Sequence, residues 1–292
     1  MDLSLFANPW EHLRLLSDAP RNEALLELLR RRAPGNRVLE IGCGTGLLSL
    51  AAAKLGARKV YAVEPTPLVE VAEQLVRDNG LQGIVEVLRG EVQDLAPRPV
   101  DLVFSELLNA DPFVEGVLDA SAAGAEWLAP RGHLAPSRLR VWAALVREPG
   151  SAQEARAARD QVRALASRLD LNLGSLLDAL GDAGPYSYVA AAPALASAPA
   201  LIWDLALGTD EEPEEERVVP LLPLEPGPVG GVVLWFEAQL DEGLVMSNAP
   251  GVSGHWGQLV CAWDRELGGR ADRPIPIRFS VDEDGLTAGE PA

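Results

Sequence analysis

Residues 38–46 read VLEIGCGTG, and this run constrains the fold more than any other part of the chain. An apolar strand leads straight into Gly42, Gly44 and Gly46, and a helix-forming stretch follows. Glycine lets the backbone turn sharply and lets a ligand approach it closely. The helix beyond offers unpaired N–H groups at its start. At the end of the next apolar segment, YAVEP, stands Glu64. An acid there can accept from both hydroxyls of a ribose, by the logic that puts an acid about twenty residues past a dinucleotide loop. Pyrophosphate loops space their glycines G-x-G-x-x-G, whereas here the spacing is G-x-G-x-G and Glu40 precedes it. A carboxylate at that place repels a pyrophosphate and suits a cationic sulfonium amino acid.

The pattern around the loop predicts an α/β fold. Residues 8–32 read as helical up to Ala33-Pro34-Gly35. Strands are expected at 38–41, 60–63, 85–88 and 100–105, with helices at 47–55, 68–79 and 113–128. Such alternation implies a mostly parallel sheet covered on both faces. The expected ligand is S-adenosylmethionine, held by Glu40, Gly42, Gly44, Gly46 and Glu64 in a Rossmann-like class I methyltransferase domain. A nucleotide oxidoreductase is the competing reading. Beyond residue 140 the character changes. Strands at 139–147, 232–240, 258–263 and 275–281 are separated by Gly- and Pro-rich turns, which reads as a β-barrel-like domain. The expected division is residues 1–140, then 141–282 with a helical insertion at about 151–200, then a tail at 283–292.

Composition narrows the partners. The chain has 292 residues, 48% of them hydrophobic, enough for a substantial core. Its net charge of −18 argues against a nucleic acid, whose phosphates need clustered Lys and Arg. An acidic surface steers cationic partners inward, although acidity also serves solubility alone. No apolar run spans a bilayer, and no basic-then-apolar leader opens the chain. Cys43 lies inside the glycine loop, far in sequence from Cys261, so a disulfide is not expected and a reducing, cytoplasmic setting is. No Cys/His cluster has metal-ligand spacing, so no metal is expected.

Four further blocks carry a resemblance. Residues 37–65, RVLEIGCGTGLLSLAAAKLGARKVYAVEP, residues 105–115, SELLNADPFVE, residues 253–258, SGHWGQ, and residues 12–21, HLRLLSDAPR, resemble in that order the cofactor segment, double-glutamate loop, threonine-histidine-tryptophan loop and cofactor-covering helix of protein arginine methyltransferases. The extent is that of a bacterial-type, single-core member. The resemblance implies methyl transfer from S-adenosylmethionine to a guanidino nitrogen of arginine in a protein or peptide. It makes Glu106 and Glu115 the catalytic pair and joins His255 to Asp18 in closing the helix over the cofactor. It sends Arg21 to the cofactor carboxylate and puts Val92 and Gln93 at the adenine. It implies a homodimer built through an arm in the insertion, with Leu171, Leu173, Leu176, Leu177 and Leu180 as anchors.

Physical chemistry runs beside the resemblance. Glu106 ends the fourth strand, where ligands meet an open α/β sheet. Two carboxylates bracketing a pocket suit a guanidinium, a planar cation with forked donors. Two acids near a helix start are also favourable with no function at all. The guanidinium keeps its proton until transfer, because its pKa exceeds about 12. Deprotonation then falls to Glu115, or to Asp18 with His255. Trp256 is expected either to wall the guanidinium slot or to fill the core. The chain departs from the family where Leu107-Leu108-Asn109-Ala110 replaces Trp-Met-Gly-Tyr after the first glutamate, and where Gln93 replaces a glutamate. These changes leave a small guanidine, amine or hydroxyl metabolite open as an alternative acceptor.

Overall fold

The computed structural model describes residues 15–147, 160–164, 167–168, 171, 183–189, 194–252, 254–282 and 285–289. The N-terminal part runs α1 (Ala19–Arg32), β1 (Arg37–Ile41), α2 (Leu47–Lys54), β2 (Lys59–Glu64), α3 (Leu68–Asp78), β3 (Val85–Arg89), β4 (Val100–Ser105), α4 (Val117–Ala125) and β5 (Leu128–Ala135). The strands pair in parallel in the order β3-β2-β1-β4-β5. Val38, Leu39, Glu40 and Ile41 are all buried, as a strand covered on both faces requires. The strand order reverses between β1 and β4. The crevice beyond their carboxyl ends is therefore the place where this topology binds ligands. Gly42 follows β1, Glu64 ends β2 and Glu106 follows β4, so one sheet edge collects all three.

The second half contains β6 (Arg138–Val146), β7 (Ala183–Val189), β8 (Ala200–Ala206), β9 (Glu216–Leu221), β10 (Gly227–Asp241), β11 (Leu244–Ser247), β12 (Gln258–Gly269), β13 (Ile275–Asp282) and β14 (Gly285–Gly289). One antiparallel sheet is ordered β7-β12-β10-β6-β8, with β11 on β10, and a second is ordered β14-β13-β9. Trp203, Val232, Cys261, Phe279 and Leu286 belong to one core that draws on both sheets. Pro220 lies in β9, at the sheet's edge, where its missing N–H costs no ladder bond.

Helix α1 buries Leu25, Leu28 and Leu29, the i, i+3, i+4 stripe of a core-facing helix. These leucines share a cluster with Phe236, Leu240 and Met246, so α1 packs on β10 and β11 as well as on the parallel sheet. At its far end Arg32 makes two bonds to Asp241, at 2.6 and 3.0 Å.

Three expectations are corrected. The continuous helix expected over 8–32 breaks at Asp18, which caps α1 with extended backbone, and Pro20 opens the first turn; residues before 15 lie outside the described chain. The helix expected at 113–128 is only Val117–Ala125, because Asp111 accepts from the Phe113 N–H in a tight turn and Gly116 takes φ +71°. The tail expected from 283 instead contains β14, paired along its length with β13. Of the expected arm anchors, Leu171 is exposed, and Leu173, Leu176, Leu177 and Leu180 lie outside the described residues.

Candidate active site

The glycine loop is shaped by backbone that only glycine takes readily. Gly42, Gly44 and Gly46 have φ of +69°, +54° and +80°. A Cβ on Gly42 would fall 2.8 Å from Leu107 Cδ2, and one on Gly46 3.1 Å from the Ala72 Cβ. The loop thus packs without side chains against β4's following segment and α3. Glu64 is buried; its Oε2 accepts from the Gly44 N–H at 2.7 Å and its Oε1 from the Thr66 N–H at 2.9 Å. Its carboxylate therefore lies against the glycine loop, as a ribose-binding acid must. Glu40 accepts from the Ser49 hydroxyl of α2. Burial pushes its carboxyl up to about 8, against the pull of Ser49 and the Arg21 charge. A sulfonium amino acid, carrying positive charge on sulfur and nitrogen, is the chemistry that offsets such a burial. The donor set and the glycine cradle fit S-adenosylmethionine. Val92 is buried in a turn at Val92–Asp94, and Gln93 beside it is exposed.

The second cluster gathers residues from both halves of the chain. Asp18 caps α1, its Oδ1 accepting from the Arg21 N–H at 3.0 Å. Its Oδ2 accepts from the His255 backbone N–H and meets the His255 Nδ1, both at 2.8 Å. Burial works to raise the Asp18 carboxyl, but these bonds and the His255 ring together hold it below its ordinary value. The same cap aims Arg21 inward. Its Nε donates to Glu106 Oε2 at 2.6 Å, its Nη2 pairs with the same oxygen, and its Nη1 donates to Asn22 Oδ1 at 2.9 Å. Both members of the Arg21–Glu106 pair are buried. The other Glu106 oxygen, Oε1, accepts from the Trp256 indole N–H at 3.3 Å. Trp256 is itself buried, edge-on to Phe236 at 5.2 Å, so its ring is core rather than an open wall.

Glu115 completes the group. Burial, and next the Glu106 charge, push its carboxyl up to about 8, and Asn109 Nδ2 donates to its Oε1 at 2.9 Å. Arg21 acts electrostatically on both Glu40 and Glu115, so one guanidinium faces three carboxylates. The structure thus brings Asp18, Arg21, Glu106, Glu115, His255 and Trp256 together beside the glycine loop. It pairs Arg21 with Glu106, because a buried guanidinium needs an anion and Glu106 supplies it.

The sequence reading passed over the supports. Ser49 answers Glu40 from nine residues on. Asn248 accepts from the Phe236 N–H and donates to the Gly257 carbonyl, both at 2.7 Å, while Gln258 donates to the Asn248 carbonyl at 2.8 Å. Together they pin the turn that presents His255 and Trp256. An isolated buried Asn or Gln carries no periodic signal, so only the fold exposes it. Among the described residues, no group of His, Cys, Asp or Glu could hold a metal ion. Both cysteines are free and buried.

The sheet order, the glycine loop and the buried acid bonded to it define a class I S-adenosylmethionine-dependent methyltransferase. The family model described as ribosomal protein L11 methyltransferase (PrmA) matches residues 23–133. An arginine N(omega)-methyltransferase of Streptomyces achromogenes subsp. streptozoticus is 31% identical over 93% of this chain and 76% of its own length. Protein arginine N-methyltransferase PRMT10 of Arabidopsis thaliana is 37% identical over 46% of this chain, which spans 36% of that relative. Solved structures match over nearly the whole chain. Arabidopsis thaliana protein arginine methyltransferase 10 matches with a TM-score of 0.81, at 23% identity, over 97% of this chain and 93% of that one. The Trypanosoma brucei PRMT1 enzyme-prozyme complex with AdoHcy matches with 0.79, at 21% identity, over 94% and 88%. The chain belongs to the arginine N-methyltransferase family, and its cofactor is S-adenosylmethionine.

Proposed function

We propose that this chain methylates a guanidino nitrogen of arginine in a protein or peptide, with Glu106 and Glu115 holding the guanidinium. The observation that carries the reading is a buried Glu106 carboxylate and a half-buried Glu115, close enough for the Glu106 charge to raise Glu115, beside a loop built for a sulfonium nucleoside. S-adenosylmethionine supplies an electrophilic methyl group. Glu64 takes the ribose hydroxyls, Glu40 faces the cationic amino-acid end, and Val92 and Gln93 border the adenine. Arg21 is the cation for the cofactor carboxylate. Arg21, here paired with Glu106, would hold that carboxylate in its place and so leave Glu106 for the acceptor. Glu106 and Glu115 then fix one acceptor nitrogen in line with the methyl carbon, and positioning of this kind lowers a barrier by roughly 7–11 kcal/mol. S-adenosylmethionine would give its methyl group to the acceptor nitrogen and leave as S-adenosylhomocysteine, and Glu115, whose carboxyl burial raises, would take the proton that the nitrogen loses. His255 and Asp18 hold α1 across the site, and Trp256 orients Glu106 through its indole N–H.

The finer expectations belong to the same reading: a cytoplasmic homodimer with a boundary near residue 140 and an arm in about 151–200. The heterotetramer named for the Trypanosoma brucei neighbour supports assembly. A second reading is a small guanidine acceptor such as free arginine. It is favoured by the Streptomyces achromogenes relative matched over 93% of this chain, an arginine N(omega)-methyltransferase, whose name specifies arginine without a protein. Leu107-Leu108-Asn109-Ala110, which lacks the family's aromatic and methionine bulk, leaves the slot compatible with it.

Glu115→Gln tests the leading role. It is expected to lower kcat on an Arg-rich peptide roughly 10²- to 10⁴-fold, with S-adenosylhomocysteine binding by calorimetry unchanged. Normal turnover in that variant contradicts the assignment.

A further inference from the structure

The loop that bears Glu115 is tied to the far end of the chain. Asp111 is 4% exposed. Its Oδ1 accepts from the Phe113 N–H at 3.0 Å, and its Oδ2 accepts from the Leu286 N–H of β14 at 2.6 Å, across 175 residues of sequence. The approach is so close that residue 285 must be glycine. Gly285 takes φ +114°, and a Cβ there would fall 2.4 Å from Asp111 Oδ2 and 3.1 Å from Val114 Cγ1. Phe113, fixed by the other Asp111 oxygen, lies edge-on to Trp203 at 6.1 Å in the core between the antiparallel sheets. The loop therefore has two fastenings to the second domain between residues 111 and 113, and Glu115 follows directly.

Burial raises the Asp111 carboxyl, and the Leu286 and Phe113 N–H groups only partly offset this. A buried carboxylate of this kind costs free energy that an apolar side chain would not. Mere loop closure does not need it. A carboxylate does what an apolar side chain cannot: its two oxygens fix two separate backbone segments at set distances and directions.

We propose that Asp111, through the Leu286 N–H of β14, is a positioning residue for Glu115, so that the paired strands β13 and β14 form part of the acceptor side of the active site. The proposal rests on the role given to Glu115 above. Asp111 touches neither cofactor nor acceptor in this scheme; it sets where the Glu115 carboxylate stands relative to Glu106.

The test compares Asp111→Ala, the same-size Asp111→Asn and Gly285→Ala in the full chain, by steady-state kinetics on an Arg-rich peptide, S-adenosylhomocysteine calorimetry and hydrogen exchange. The alanine variants are expected to lose roughly 10- to 100-fold in kcat/KM, the scale of a misplacement of about 1 Å. Cofactor Kd should stay within about twofold, because the bonds of Asp111 go to Phe113 and Leu286 and not to the glycine loop or Glu64; amides over 106–116 and 285–289 should exchange faster together. Asp111→Asn keeps one acceptor and should fall between. Wild-type kcat and KM in the alanine variants overturns the proposal, as does cofactor affinity falling in step with turnover, which would mark general fold support. Should the wild-type chain methylate no arginine acceptor, the Glu115 role fails on its own evidence, and exchange over 106–116 that is unaltered by Asp111→Ala overturns the anchor separately.

Discussion

Glu115 and Glu40 sit in the same crevice with carboxyls pushed to about 8, and both owe it first to burial. The two differ in what relieves them: Glu115 needs an acceptor cation, Glu40 the cofactor. For Glu115 the sign is definite. The protonated form cannot hold a guanidinium, so kcat/KM for an arginine peptide should rise with pH. With cofactor saturating, the limb should centre at or below about 8, because the added sulfonium charge draws the carboxyl down. A pH series on Glu115→Gln should lack that limb, and a limb that survives assigns the titration elsewhere. At this scale the sequence was legible where residue type and position coincide: Glu106 at a strand end, Glu64 after the next strand, Gly42, Gly44 and Gly46 in one turn. It was silent on Asn109, whose amide meets Glu115, and on Asn248, whose amide holds the His255 turn. Those pairings come from loop conformation, which no spacing encodes.

Helix α1 shows how an element carries the site. Its N-terminal end holds Asp18 and Arg21, and its C-terminal end is clasped to the β10–β11 turn by Arg32 on Asp241. The two fastenings differ in kind. Asp18 is buried and bonds three N–H groups, whereas the Arg32 side chain is 42% exposed. Asp18→Ala should therefore cost about 0.5–2 kcal/mol from the cap alone, and should also weaken cofactor binding by freeing the His255 turn. Arg32→Ala leaves the buried Asp241 carboxylate without these two bonds, so it should cost about 1–3 kcal/mol, and leave cofactor affinity alone. Chemical denaturation with cofactor titration separates them, and equal effects on affinity would contradict the division of labour. The leucine stripe of α1 was readable from periodicity, but its start was not, because the cap and Pro20 interrupt an apolar pattern that runs on through Leu13, Leu15 and Leu16. Strand β14 was missed for a related reason. GLTAG has glycine at both ends and little alternation, and its pairing with β13 decides its conformation.

At the scale of the molecule, the parallel sheet was the legible half, because each strand and its helix are neighbours in sequence and carry their own periodicity. The antiparallel half is built from distant partners: β10 pairs with β6 and β12, and β13 with β9. Its strands could be sensed one at a time but not arranged. The charge of −18 belongs to this scale too. It favours approach of a cationic polypeptide over that of a single amino acid, so KM for an Arg-rich peptide should rise several-fold between about 0.01 and 0.15 M salt, as the screening length shrinks from about 30 to 8 Å. A KM indifferent to salt would remove long-range steering from the account.

The most direct test of arginine methylation is mass spectrometry of the purified chain incubated with isotopically labelled S-adenosylmethionine and three acceptors in parallel: an Arg-rich peptide, the same peptide with every Arg replaced by Lys, and free arginine. The account predicts label on the Arg peptide and none on its Lys counterpart, with fragment masses placing the methyl on the guanidino group. Label on free arginine alone would transfer the same chemistry to the small-acceptor reading. Label on the Lys peptide, or on none of the three, would contradict the claim that Glu106 and Glu115 are set for a guanidinium.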